Sequence, residues 1–190
     1  MKLAIVLTEG FADWECALLM ASARGDFGFE IVTATPGGRG VMSMGGLKVV
    51  PDRDAETLDP ASFDALVLSG GTIWQTEAAP DLSAVYRRFN DHGRPIAAIC
   101  GATLAFARAG LLDTVAHTSN SLGLLERVPQ YRGADLYLDQ PQAVSDQGII
   151  TASETAPVSF AAEIYRAIGF SSEDLSSYLR LFGAEHRAAK

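Results

Sequence analysis

The sequence predicts an α/β protein with a mainly parallel sheet covered by helices on both faces. Three observations carry this. Short aliphatic runs of strand length recur and are continuous, as strands buried on both sides should be. Stretches with apolar residues at helical spacing lie between them. Glycine or proline punctuates most of the boundaries, and strand–helix alternation is the pattern of a parallel sheet with crossover helices.

The first strand is predicted over 3–7, Leu-Ala-Ile-Val-Leu. A helix follows over 14–24, with Trp14, Ala17, Leu18 and Ala21 as its apolar positions. A strand over 30–35 stops at Pro36-Gly37-Gly38, and 40–50 reads as a short hairpin or edge strand. A third buried strand over 63–68 ends in Ser69-Gly70-Gly71. A helix over 81–90 carries Leu82, Val85, Tyr86 and Phe89 on one side. A strand over 95–99 runs into a helix over 103–109, capped by Gly110. Residues 113–142 are polar and give no clear element. Residues 143–145 and 148–152 pair as a hairpin across Asp146-Gln147, and helices are predicted over 158–168, stopped by Gly169, and over 173–182.

At 190 residues the chain fits one domain, 1–190, able to bury roughly 70% of its unfolded surface. Apolar residues make up 48% and charged residues 20%, and the net charge is −8. That balance opposes a phosphate-backbone binder and an anionic membrane surface, so neither nucleic acid nor membrane is an expected partner. No run approaches the ~18 apolar residues of a membrane span. The apolar start, Leu3 to Leu7, is too short for a signal peptide. Two cysteines, Cys16 and Cys100, make no disulfide framework and predict free thiols in a cytoplasmic protein. Three scattered histidines have no metal-ligand spacing, so no metal or cofactor is expected.

Ala97-Ala98-Ile99-Cys100-Gly101-Ala102-Thr103 takes a strand straight into a helix with one nucleophilic residue at the corner. This is the pattern of a nucleophile elbow, strained at the corner, with small residues two before and two after it: Ala98 and Ala102. A helix N-terminus there would favour a thiolate, whereas a buried structural cysteine is the plain alternative. Gly70 and Gly71 end the preceding strand. The N–H groups of Gly71 and Gly101 fit an oxyanion hole, and a simple turn explains the glycines equally well. Glu15 lies in the first turn of a helix. It serves there either as a dipole partner or as a carboxylic acid kept neutral by burial and aimed at the cysteine. Trp74 and Asp13 adjoin these loops as pocket-lining candidates, with packing or a dimer surface as the other role for Trp74. Cys16 reads as core or subunit contact.

Taken in order, Phe11-Ala12-Asp13-Trp14-Glu15, Phe63 to Gly71, Ala98-Ile99-Cys100-Gly101-Ala102, Ala109 to Asp113 and Gly148 to Ser153 resemble the ThiJ/PfpI superfamily over nearly the whole chain. The resemblance implies a flavodoxin-like three-layer α/β/α sandwich of the class I glutamine amidotransferase type. It assigns Cys100 as nucleophile, Glu15 as proton partner and the glycine pair as oxyanion donors, and it implies a homodimer. Two departures restrict the chemistry. The histidine that protease-like and glyoxalase-like branches place directly after the nucleophile is here Gly101. The histidine that others carry about twenty positions on is here Asn120, with His117 three residues off. Asn120 can orient a substrate but cannot act as a base. His117 is either a site residue or an ordinary loop histidine, and in an extended stretch 117 and 120 point to opposite faces. No late His-x-Glu is present, so neither protease nor glutaminase activity is expected. The reading is a cysteine hydrolase, hydratase or glyoxalase acting on a small electrophile. The alternative is a stress or redox protein using Cys100 as an oxidation sensor.

Overall fold

The computed structural model describes residues 1–170 and 172–184. Its elements, in chain order, are β1 (Lys2–Val6), α1 (Asp13–Gly25), β2 (Glu30–Thr35), β3 (Val41–Met42), β4 (Lys48–Val49), β5 (Arg53–Asp54) and β6 (Ala65–Leu68). These are followed by α2 (Ser83–Asp91), β7 (Ile96–Ile99), α3 (Thr103–Arg108), α4 (Leu122–Leu125), β8 (Val144–Asp146), β9 (Ile149–Ala152), α5 (Pro157–Ala167) and α6 (Ser172–Phe182).

Seven strands form the main sheet in the order β5-β2-β1-β6-β7-β9-β8. All neighbours are parallel except β8, which returns antiparallel along β9. The five central strands, counted in chain order, run 2-1-3-4-5, the flavodoxin-like order. The order reverses between β1 and β6, and the loops leaving the carboxyl ends of such strands are where this architecture binds ligands.

Alternation along the strands feeds two cores. Leu3, Ile5, Val67, Ala97 and Ile150 face one layer with Cys16 and Leu19 of α1, Phe160 and Ile164 of α5, and Tyr178 of α6. Ala4, Val6, Leu66, Leu68, Ile96 and Ala98 face the other, with Val85 and Phe89 of α2, Phe106 of α3, and Leu125 of α4.

Two expectations change. Helix α1 buries Glu15, Cys16, Leu19, Ser22 and Ala23, while Trp14 and Ala17 face out. It is apolar nearly all round, so spacing alone does not choose its buried side. The late hairpin turns at Gln147-Gly148, one residue beyond the predicted place, because both residues there adopt left-handed φ values of 49° and 80°; a two-residue turn of that hand matches the twist of the strands. Residues 113–142 hold only the single turn of α4 and a short 3₁₀ segment over Ala134–Leu136. The 40–50 stretch is a hairpin, β3 against β4, outside the main sheet. Among the described residues no helix is long and apolar enough to cross a membrane.

Candidate active site

Strand β7 ends at Ile99, and Cys100 turns the corner with φ +58°. A left-handed conformation is costly for a residue with a Cβ, on the order of 1–2 kcal/mol. The surroundings hold it there. The Cys100 carbonyl accepts from Thr103 Oγ1 at 2.7 Å, and that hydroxyl also meets Ser119 Oγ at 2.7 Å. The small residues are required by contact. A Cβ on Gly70 would lie 2.6 Å from Cys100 Cβ and 2.7 Å from the Ile99 carbonyl, and one on Gly101 would lie 2.6 Å from the Gly71 carbonyl.

Glu15 enters from the first turn of α1 and is fully buried. Its Oε2 accepts the Gly70 N–H at 2.6 Å. Oε1 is buried without a hydrogen-bond partner, and the carboxyl as a group interacts with the Cys100 thiol. Burial is the main cause that raises the Glu15 pKa to about 7. The hydrogen bonds from Cys100 and Gly70 act against that rise, and the charge of Glu154 adds to it.

The sulfur differs from the thiolate that a helix N-terminus would favour. Cys100 is 7% exposed. Burial first, then the charge of Glu15, push its thiol up to about 12, against the opposing pull of the Asn120 amide and the Gly101 N–H. The helix that follows has only six residues behind a 3₁₀ turn, so its N-terminal field is small beside these effects. At neutral pH the structure favours a protonated thiol beside a carboxylate poised to take its proton.

Asn120 Nδ2 donates toward Cys100 Sγ at 3.4 Å and to Glu154 Oε2 at 3.0 Å. Its orientation is fixed, because the Glu154 backbone N–H donates to Oδ1 at 2.9 Å. Glu154 Oε2 in turn lies 3.5 Å from Sγ, and the Trp14 indole N–H holds the Glu154 carbonyl at 3.1 Å. A cavity of about 350 Å³ opens beside this group, lined in part by Ser119, Asn120, Asp139, Ser153 and Glu154.

Three expected site residues lie elsewhere. His117 is buried, its Nδ1 2.8 Å from the Val115 carbonyl and its Nε2 2.6 Å from Tyr131 Oη. Residue 117 bridges to Tyr137 while 120 turns to the sulfur, the opposite-face geometry of an extended stretch. Burial also lowers the His117 pKa, so it stays neutral. Trp74 does not line the cavity. It is fully buried with Nε1 on the Ser69 carbonyl at 3.0 Å, and it packs beneath the glycine loop. Asp13 accepts from Ser43 Oγ and from the Gly45 N–H at 2.7 Å, tying the β3–β4 hairpin to α1; the Ser43 bond holds its carboxyl below the usual range.

Glu154 is a contact of the sulfur that the sequence analysis did not single out. Its signal was register: Ile99 pairs with Ala152, so the residues just past both strand ends are neighbours. Among the described residues, no histidine makes a hydrogen bond to Cys100.

The DJ-1/PfpI family model matches residues 1–167. The chain belongs to the DJ-1/PfpI family. A DJ-1 superfamily protein from Agrobacterium tumefaciens, Atu0886, is 49% identical, with a TM-score of 0.95, and the match covers 98% of this chain and 100% of that one. An uncharacterized protease of Bacillus subtilis, YdeA, is 34% identical over 97% of this chain and 93% of its own. A deglycase of Thermococcus kodakarensis, TK1284, is 28% identical over 59% of this chain and 68% of its own. The DJ-1/PfpI match spans every element that carries a residue touching Cys100.

Proposed function

We propose that the protein is a cysteine-dependent enzyme of the hydrolase, hydratase or glyoxalase kind, acting on a small electrophile. The observation that carries this is the buried Glu15–Cys100 pair, at a corner held in a left-handed backbone conformation. Sγ attacks an electrophilic carbon as its proton passes to the Glu15 carboxylate. The S–C bond forms while an electron pair moves onto the substrate oxygen, for which the Gly71 and Gly101 N–H groups are the donors assigned in this reading. Glu15 then returns the proton to that oxygen or to the leaving group. Asn120 orients the bound molecule. The relative named a deglycase supports an enzymatic reading. Among the described residues, protease or glutaminase chemistry lacks a histidine base at Cys100. The alternative, a redox sensor, would use the same sulfur as an accessible thiolate, which its burial opposes.

Turnover of any compound found by screening small carbonyl and related electrophiles should fall on the order of 10³-fold or more in both C100S and C100A. Undiminished turnover in C100A rejects the assignment.

We also propose a homodimer that pairs through the β3–β4 hairpin. Met42, Met44, Leu47 and Val50 are exposed there, and Trp14 stands exposed on the helix to which Asp13 ties that hairpin. Apolar surface concentrated on one small element marks a contact face. Sedimentation should give a dimer for the wild type and a monomer for L47E. A wild-type monomer, or an L47E dimer of unchanged affinity, refutes the surface.

A further inference from the structure

We propose that the Cys100 site selects electrophiles that are uncharged or cationic and carry hydrogen-bond donors, and that it turns away those bearing a carboxylate beside the reacting carbon. This rests on the nucleophile reading above and adds the substrate class. Glu154 Oε2 stands 3.5 Å from the sulfur. Among the described residues, Asp139 and Glu154 are the charged ones lining the adjoining cavity, and neither lysine nor arginine lines it. The donors that reach the sulfur, the Asn120 amide and the Gly101 N–H, are both neutral. Carboxylates are ordinarily held by guanidinium or ammonium groups, and none is supplied here. The Glu154 and Asp139 carboxylates are acceptors lining that cavity, and they fit a hydroxyl, an amide N–H or an ammonium on the incoming molecule.

The test compares alkylation of Cys100 by iodoacetamide and by iodoacetate, two reagents of similar size that differ in charge. In each, an S–C bond forms, iodide leaves with the electron pair, and the thiol proton is lost. Labelling is read at the Cys100 peptide by mass spectrometry, with the whole chain at pH 8 and low salt. The amide-to-acid rate ratio should exceed that of glutathione about tenfold or more. It should shrink as salt rises and shrink in E154Q or D139N. A wild-type ratio equal to that of glutathione overturns the substrate class and leaves the nucleophile standing. An elevated ratio that neither substitution lowers overturns its assignment to these carboxylates. Labelling by neither reagent in the folded chain, with both reacting after unfolding, removes the nucleophile reading and the proposal together.

Discussion

Replacing Glu15 by Gln should erase an inflection near pH 7 from the pH profile of Cys100 alkylation. In the wild type, Glu15 is neutral below about pH 7 and has no room for the thiol proton. Above that pH its carboxylate accepts the proton, so the rate rises through about 7 and levels off. The E15Q variant has no such acceptor. It also loses the carboxylate charge that helps hold the thiol at about 12, so its single rise comes from the sulfur itself, at a pH below 12 and well above 7. At pH 7.5 the variant should be slower by about 10²-fold or more, the usual worth of a placed base. An inflection near 7 that survives in E15Q assigns it to another group. Thermal stability gives a second readout with its own sign. The folded protein keeps a proton on Glu15 that the unfolded chain releases between about 4.5 and 7. Wild-type stability therefore falls as pH rises through that window. The rise from 4.5 to about 7 corresponds to about 3 kcal/mol. E15Q should melt roughly 6–12 °C above the wild type at pH 8 and draw level near pH 4.5. An unchanged difference across that range contradicts a buried, titrating carboxyl.

Gly70→Ala should be the most damaging single-methyl change near the site. Its Cβ would sit 2.6 Å from Cys100 Cβ and 2.7 Å from the Ile99 carbonyl, besides colliding with Glu15 Oε2. Two of the three obstacles, the carbonyl and the Cys100 Cβ, are fixed to the backbone, so the strand end itself must move. A destabilisation of about 3 kcal/mol, or roughly 6–12 °C in Tm, is expected, together with loss of Cys100 labelling. Gly10→Ala provides the control. No atom lies within 4 Å of its added methyl, so only its left-handed φ of +67° opposes the change. Equal losses at 70 and 10 would mean that crowding is not what the glycine relieves.

What was readable in the sequence was local. The corner at Cys100 is fixed by neighbours in the chain, because Ala98, Gly101 and Ala102 leave the strand and helix free to meet. Glu15 is fixed by the first helical turn. Short continuous aliphatic runs gave the layers, and Leu82, Val85, Tyr86 and Phe89 are buried together as their spacing requires. What stayed hidden depends on contacts distant in the chain. Trp74 and His117 are directed by the Ser69 carbonyl and by Tyr131, which no periodicity reports. Asp13 is claimed by a hairpin 30 residues on. β5 is two residues long and lies at the edge, too short for an apolar pattern. The thiol was misjudged because a helix terminus is visible in sequence while desolvation is a property of the finished fold.

The groups that meet at the sulfur come from α1, the loop after β6, the corner after β7, the segment before α4 and the loop after β9. No two of these segments are consecutive along a single hairpin or helix. A half-assembled chain therefore has nothing resembling this pocket, and the behaviour of one sulfur serves as a gauge of whether the entire sheet has closed.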